Sequence, residues 1–71
     1  MPEMMYIDST SIEAIGYDPA TRELHVRFLK SGETYVYYDV EYSEFEEFKG
    51  ANSKGVFLNQ YIRSRHNYAK L

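Results

Sequence analysis

The 71-residue sequence contains no cysteine and no tryptophan. The lack of cysteine excludes disulfides, thiolate metal sites and thiol catalysis, and a bridge-free chain of this size favours the cytoplasm. No stretch approaches the roughly 20 apolar residues of a membrane span. The first residues, MPEMMY, also lack the basic and apolar regions of a signal peptide. We therefore expect a small soluble cytoplasmic domain.

Acidic side chains are absent from residues 53–71, which we call the basic stretch. All eleven acidic residues lie between Glu3 and Glu47, whereas the basic stretch carries four of the eight lysines and arginines. The net charge of −3 therefore hides a strong asymmetry between the two parts of the chain. Such asymmetry indicates contact with an anion or a nucleic acid, or pairing of the two parts within the fold.

Three segments have the apolar alternation that is typical of β-strands. They cover residues 11–17, 24–29 and 34–40, and the turn sequences DPAT and KSGE separate them. In the first turn an aspartate precedes a proline, and in the second a glycine is available for a left-handed backbone. The sequence therefore predicts a three-stranded antiparallel meander.

The hydrophobic period changes after the third strand. Ser43 followed by Glu46 has the spacing of a capping box, which predicts a short helix that ends near Gly50. Asn52 and Ser53 then precede a second apolar pattern with helical spacing. We expect an α+β fold in which two short C-terminal α-helices pack on one face of the meander. Residues 11–71 form a single domain in this prediction, after a partly flexible N-terminal segment, residues 1–10.

Several short motifs occur in a fixed order along the chain. They are GYDP at residues 16–19, YVY at residues 35–37, SKG at residues 53–55, Asn59, and the pair Arg63 and Arg65. In this order and spacing, from residue 9 to residue 68, the chain resembles the KTSC domain family. It departs from the usual family pattern at three positions, where Glu41, Asn52 and Ser64 replace a common proline, proline and glycine.

The resemblance implies a small accessory module. KTSC domains are named for their occurrence at the C-terminus of some lysyl-tRNA synthetases, and they also occur as small stand-alone proteins. That attachment suggests RNA binding. The resemblance therefore favours an RNA-binding accessory module, and we expect a small bacterial or phage protein.

The start of the second helix is a candidate anion site. Lys54 brings a positive charge to the first turn, and Gly55 lets a ligand approach the backbone N–H groups there. The alternative is an ordinary helix start with an exposed lysine. Asn59 is placed further along the same helix to recognise the edge of a base, unless its amide only satisfies neighbouring backbone groups.

Two arginines stand near the end of this helix. A guanidinium group binds phosphate through two parallel hydrogen bonds, so Arg63 is the stronger candidate and Arg65 the second. An equal alternative is an ion pair between Arg63 and an acidic residue such as Asp39. Lys54, Gly55, Asn59, Arg63 and Arg65 form the predicted nucleic-acid or anion site.

Tyr35 and Tyr37 share one face of the third predicted strand. Exposed strand aromatics stack on unpaired bases in several RNA-binding folds. The alternative, which we favour, is that these rings form the hydrophobic face beneath the helices. His25 has a strand position beside Arg27 and is expected at the surface.

Three functions stay open. The first is RNA binding through the basic stretch. The second is protein interaction or self-association, since a three-stranded sheet has open edges and tyrosines suit protein contacts. The third is binding of small phosphorylated nucleotides, as in a phage-encoded protein that sequesters them. Because no cluster of histidines and carboxylates has the spacing of a catalytic or metal site, we expect neither catalysis nor a cofactor.

Overall fold

The computed structural model describes residues 2–71, which form one antiparallel sheet and two helices. The strands are β1 (Met5–Tyr6), β2 (Ile12–Asp18), β3 (Glu23–Phe28), β4 (Thr34–Tyr37) and β5 (Tyr68–Lys70), and their order in the sheet follows the chain. The helices are α1 (Tyr42–Gly50) and α2 (Lys54–Phe57), which continues as a π-helical segment, Leu58–Ile62. Neither helix of residues 2–71 is long and apolar enough to cross a membrane.

The α+β class and the central antiparallel meander are confirmed, but the predicted number of three strands is wrong. Two further strands, β1 and β5, extend the sheet at its two edges. They have two and three residues, and all of their side chains are exposed. An exposed strand this short has no buried face, so its sequence shows no apolar alternation. Backbone pairing with β2 and β4 defines these strands.

The two predicted turns are present between the central strands. In the first, the backbone N–H of Ala20 donates to Asp18 Oδ1 at 2.9 Å. In the second, Gly32 has a φ angle of 70° and donates its N–H to the Phe28 carbonyl at 2.9 Å. The left-handed backbone of Gly32 explains why a glycine suits this position.

The main core lies between the helices and one face of the sheet. From the strands it receives Ile12, Ile15, Leu24, Val26 and Tyr37, and from α1 and the π-helical segment Phe45, Phe48, Leu58 and Ile62. The strand register shifts between Ile12 and Ala14. This irregularity allows Ile12 and Ile15 to enter the same core although their spacing is three.

The N-terminal segment covers part of the opposite face. A Cβ atom on Gly16 would lie 2.8 Å from the Glu3 carbonyl oxygen and 2.9 Å from the Met4 sulfur, so only glycine allows this close approach. The segment predicted to be partly flexible, residues 1–10, thus contains β1 and a packed contact, apart from Met1, which lies outside the described residues. Its flexibility stays a prediction.

His25 is also on the opposite face, and the prediction that it is a surface residue is wrong. It is 5% exposed and pairs across the strands with Gly16 and Val36, which are both buried. Its Nε2 lies 3.5 Å from Glu23 Oε1, while Nδ1 has no hydrogen-bond partner within the described chain. The sheet is covered on both faces here, which the apolar alternation of one strand does not reveal.

The helix starts follow from local hydrogen bonds. The predicted capping box of Ser43 and Glu46 is wrong: Glu41 is the N-cap, and its backbone N–H donates to Glu44 Oε1 at 3.2 Å. The predicted cap of the second helix is confirmed, because the Ser53 hydroxyl accepts the Val56 N–H at 3.4 Å.

Candidate functional site

A cleft of about 300 Å³ lies between β4, β5 and the π-helical segment. Its apolar walls are the rings of Phe28, Tyr35, Tyr37 and Tyr68. Its polar lining comes from Asn59 and Arg63, with Ser31 and Glu33 from the second turn. We call this site the aromatic cleft, and it contains four residues that the sequence predicted for ligand contact.

The tyrosines differ in how much of each ring is exposed. Tyr37 is 2% exposed, Tyr35 is half-buried, and Tyr68 is 43% exposed. The Tyr68 ring centroid lies 5.5 Å from that of Tyr37 and 6.1 Å from that of Tyr35. Burial raises the pKa of the Tyr37 phenol. Tyr37 therefore forms the floor of the cleft as a core residue, whereas Tyr35 and Tyr68 offer ring surface to a ligand.

Arg63 lies at the mouth of the cleft beside Tyr68. Its Nη2 atom is 3.5 Å from the Tyr68 hydroxyl oxygen, and its guanidinium carbon is 5.6 Å from the ring centroid. The hydrogen bond to Tyr68 raises the pKa of Arg63 further, so the group is always charged. Within residues 2–71, Arg63 forms no ion pair, and the alternative pairing with Asp39 is not present.

The carboxylate that lines the cleft already has a partner. Glu33 Oε2 lies 2.7 Å from Lys70 Nζ, on the neighbouring strand β5. The hydrogen bond from Lys70 lowers the pKa of Glu33, so Glu33 stays ionised but is neutralised locally. The positive charge of Arg63 is therefore not cancelled within the lining of the cleft.

Asn59 lies one helical turn before Arg63, and its side chain lines the same cleft. Side chains four residues apart lie on the same side of a helix, and here the Arg63 N–H closes a π-helical turn by donating to the Leu58 carbonyl, at 2.7 Å. Single π-helical turns within helices occur frequently at functional sites. Asn59 can offer its amide to the edge of a ligand whose phosphate contacts Arg63.

Lys54 and Gly55 lie in a separate hollow with residues 8–10. Lys54 Nζ donates to the Ala51 carbonyl at 3.2 Å. A Cβ atom on Gly55 would lie 2.6 Å from the Ser11 hydroxyl oxygen, so the glycine here permits packing against Ser11. The structure thus gives both residues local roles and does not bring them together with Arg63.

Arg65 lies in a third place, over the ring of Tyr61 at 5.6 Å. The hollow that it shares with Tyr61 is also lined by Glu44, Glu47 and Phe57, and we call it the acidic hollow. The five residues of the predicted site therefore fall into three separate surfaces. Only Asn59 and Arg63 share a surface with the predicted stacking residues Tyr35 and Tyr37.

Tyr68 is the functional candidate that the sequence analysis missed. It belongs to β5, which is too short for a periodic signal. The one available signal was the spacing of Tyr68 and Lys70, because residues two apart lie on the same face of a strand. Pairing with β4 then puts Tyr68 opposite Tyr37.

The aromatic cleft combines flat ring surfaces with one guanidinium group. Such surfaces stack on planar ligands, and guanidinium binds phosphate or carboxylate. Within the described chain, no three histidine, aspartate or glutamate side chains lie close enough to hold a metal ion. The arrangement therefore offers a ligand both a stacking surface and a charged hydrogen-bond donor.

Comparisons with known proteins agree on one family. The family model described as the KTSC domain matches residues 8–68. A protein of Tsukamurella paurometabola is 42% identical over 62 residues, which is 87% of this chain and 91% of that protein. A crystal structure of a KTSC domain protein from Yersinia pestis has a TM-score of 0.92 and 32% identity, and covers 100% of this chain and 99% of that one.

A third relative is much longer. The lysine–tRNA ligase of a Nostoc species is 33% identical over 64 residues, which is 90% of this chain and 11% of the ligase. The chain therefore spans about a ninth of that relative's length. The match over residues 8–68 and the close structural neighbour confirm the resemblance predicted from the motifs. The chain belongs to the KTSC domain family.

Proposed function

We propose that this KTSC domain is a non-catalytic module that binds an unpaired nucleotide of RNA in the aromatic cleft. The observation that carries the proposal is the uncancelled charge of Arg63 beside the exposed ring of Tyr68. A base stacks on Tyr68 and the half-buried Tyr35, and the guanidinium group of Arg63 binds the adjoining phosphate. Asn59 contacts the edge of the base.

The size of the cleft favours a single nucleotide. Its volume of about 300 Å³ is at the lower end of small-ligand sites, about 300–1,000 Å³. The net charge of −3 opposes a long polyanion, so the contact is local and the affinity modest. One arginine neutralises one phosphate, and we expect a log–log salt dependence with a slope of about −0.7.

The lysine–tRNA ligase relative supports RNA as the ligand class. By its name, that protein acts on tRNA, and a segment similar to this chain forms 11% of its length. The proposal takes from this relative only the chemical class of the ligand. The proposal carries over no part of the ligase reaction.

The direct test compares ligands at two salt concentrations. Fluorescence anisotropy is measured with a labelled single-stranded RNA hexamer, its duplex form, and unlabelled adenosine monophosphate as competitor. We expect the single strand to bind at least about tenfold more tightly than the duplex, because a paired base cannot stack on Tyr68. Equal binding of duplex and single strand, or no binding at low salt, overturns the proposal. Competition by the mononucleotide at equal affinity favours the small-nucleotide alternative.

A matched pair of tyrosine variants tests the stacking surface. Tyr68→Leu keeps an apolar side chain on edge strand β5 but removes the ring, and the affinity should fall about tenfold, since stacking contributes roughly 1–3 kcal/mol per base. Tyr6→Leu makes the same change on β1, the opposite edge strand, where Tyr6 is 74% exposed. It should leave the affinity unchanged, and an equal loss in both variants contradicts a site at Tyr68.

Self-association is the second candidate function. The outer strands β1 and β5 each have an unpaired side, and the exposed residues there include Met5, Tyr6 and Leu71. Open strand edges pair readily with a second chain. A concentration-dependent dimer in sedimentation velocity, together with no RNA binding, supports this second candidate over the first.

A further inference from the structure

His66 lies in the link between the two sides of the aromatic cleft. The π-helical segment before it carries Asn59 and leads into Arg63, and strand β5 after it carries Tyr68. The backbone N–H of His66 donates to the Ile62 carbonyl at 3.0 Å. The His66 side chain is only 10% exposed, so the link is anchored in the protein.

Both ring nitrogens of His66 face oxygen atoms. Nδ1 lies 2.8 Å from the Tyr38 carbonyl oxygen, and Nε2 lies 2.9 Å from Glu44 Oε2. The other oxygen of that carboxyl group, Oε1, accepts the backbone N–H of Glu41. A carbonyl oxygen only accepts, and a neutral imidazole has a single N–H to donate. Both contacts can therefore be hydrogen bonds at the same time only if one more proton is present, either on the ring or on the Glu44 carboxyl group.

These contacts join two elements to the link. Glu44 belongs to α1, and Tyr38 follows β4 directly. The charged groups on the α1 side are Glu44 and, in the adjoining acidic hollow, Glu47 and the neighbouring Arg65. On the β4 side, the ring faces the uncharged Tyr38 carbonyl. The protonated ring thus lies between one carboxylate and one neutral acceptor.

Apart from the side-chain contacts of Lys70 with Glu33 and of Tyr68 with Arg63, few bonds hold strand β5. Beyond its pairing with β4, the adjoining backbone bonds are Tyr38 N–H to the Asn67 carbonyl at 2.9 Å and Leu71 N–H to the Thr34 carbonyl at 2.8 Å. A strand of three residues at a sheet edge is easily displaced. Losing a contact at His66, two residues before Tyr68, therefore changes the placement of the Tyr68 ring.

We propose that His66 is a positioning residue of the aromatic cleft, whose protonated ring ties α1 and the end of β4 to the link and holds Tyr68 beside Arg63. The protonated ring makes both contacts, and the neutral ring makes only one. The tether is therefore complete while the ring keeps its proton, and it weakens when that proton is lost as the pH rises. The inference deepens the proposed function, because the cleft it organises is the proposed RNA site.

The first test needs no ligand. In the ¹⁵N-labelled protein, NMR follows the ring nitrogens of His66 and the backbone amides of Tyr68 and Leu71 from about pH 5 to about pH 8. The β5 amides should shift, and lose protection from hydrogen exchange, with the same midpoint as the His66 ring. If the β5 amides stay constant while His66 titrates, or if His66 does not titrate in this range, the inference is wrong.

Glu44→Gln separates protonation from simple loss of a contact. The amide oxygen of the new side chain can still accept the Glu41 N–H, and its NH₂ group can donate to Nε2 of a neutral His66. The neutral ring then donates through Nδ1 to the Tyr38 carbonyl. The β5 amides should therefore stay ordered at high pH and lose their pH response. If β5 in this variant still loses protection as the pH rises, protonation of His66 against Glu44 does not control it, and the inference is overturned.

Glu46→Gln is the matched control on the same helix. Glu46 pairs with Lys49 at 2.9 Å and has no contact with His66. This variant removes one α1 carboxylate and should keep the pH response of β5 unchanged. If the β5 amides lose their pH dependence in Glu46→Gln as well, the overall charge of α1 causes that dependence, and the contact at His66 does not.

Binding of the single-stranded RNA hexamer gives the functional readout. Its affinity should fall about three- to tenfold as the pH rises from about 5.5 to about 8 in the unmodified protein, as expected for one charge-assisted hydrogen bond. In Glu44→Gln the affinity should stay constant. If the β5 amides change with pH but the RNA affinity does not, His66 has no positioning role in RNA binding. No RNA binding at any pH overturns the proposed function alone, since the coupling of His66 to β5 is measured without ligand.

Discussion

Arg63 and Arg65 make the same local contact in two different surroundings. Each guanidinium carbon lies 5.6 Å from the centroid of a tyrosine ring, Tyr68 for Arg63 and Tyr61 for Arg65. The aromatic cleft around Arg63 has one carboxylate, which already pairs with a lysine, whereas the acidic hollow around Arg65 contains Glu44 and Glu47. A cation–π contact therefore does not by itself define an anion site, because the surrounding charges decide whether phosphate is attracted.

The two arginines lie in the turn that follows the π-helical segment. Arg63 lines the aromatic cleft, whereas Arg65, two residues later, lines the acidic hollow. The backbone of each arginine is still held by the helix, through Arg63 N–H to the Leu58 carbonyl and Arg65 N–H to the Ile62 carbonyl. Residues that look like one basic cluster in the sequence thus serve two surfaces.

Ile62→Ala should have the largest effect, because it weakens both surfaces at once. Ile62 is 0% exposed and lies in the helical segment between Tyr61 and Arg63. The lost burial and the cavity should lower the free energy of unfolding by about 2–5 kcal/mol in urea denaturation. The control Val56→Ala, at a residue 52% exposed, should change it by less than about 0.5 kcal/mol. If Ile62→Ala lowers the free energy of unfolding by less than about 1 kcal/mol, the two surfaces do not both depend on the burial of Ile62.

Exchanging each arginine for glutamine tests the comparison directly. Arg63→Gln should weaken binding of the RNA hexamer about tenfold, as expected when a hydrogen bond to a charged group is lost. Arg65→Gln should change the affinity by less than about twofold, because its neighbouring carboxylates repel phosphate. Anisotropy titration at low salt measures both, with Lys54→Gln as a second control. Equal losses in all three variants would mean that the basic stretch acts as a whole.

Glu47→Gln sharpens the contrast by making the acidic hollow less acidic. Removing one carboxylate near Arg65 should raise the affinity for the RNA hexamer about twofold at low salt, and the gain should vanish at high salt through screening. Glu3→Gln, at an exposed residue of the N-terminal segment, is the charge-matched control. An equal gain in both variants would show that net charge alone is responsible.

Lys70→Met should give the smallest effect, on the charge balance of the aromatic cleft. Lys70 lowers the pKa of Glu33, so its removal should return that pKa toward the ordinary value of 4.5. A lowered carboxyl pKa in the folded state stabilises the protein above the unfolded pKa, and this contribution is lost as pH falls through the folded pKa. The variant should therefore show a weaker loss of stability on acidification. NMR titration of the Glu33 carboxyl carbon measures the pKa, with Lys30→Met as control.

Local chemistry explains which parts of the fold were predictable. The meander follows from apolar alternation in β3 and β4, and the turns follow from Asp18 and Gly32, whose backbone preferences are nearly independent of the rest of the chain. The ordered motifs are also sufficient to indicate the family. Strands β1 and β5 were not predicted, because only backbone pairing with β2 and β4 makes these segments strands.

The candidate site was predicted only in pieces. Asn59 and Arg63 were expected on a helix, and Tyr35 and Tyr37 on a strand, as two separate possibilities for ligand contact. The structure brings all four to one cleft and adds Tyr68. Contact between a helix and a strand far apart in the chain depends on core packing, which spacing along the sequence does not encode.

By itself, the sequence determined the α+β class, the central meander, the helix that starts after Ser53, and membership of the KTSC family. These features rest on side-chain periodicity and on turn and capping preferences that act over a few residues. Only the tertiary structure decided that Arg63 faces the tyrosines while Arg65 faces Glu44 and Glu47. The orientation of each residue depends on how the π-helical segment packs through Leu58 and Ile62 against the sheet, and that packing is set by the whole core.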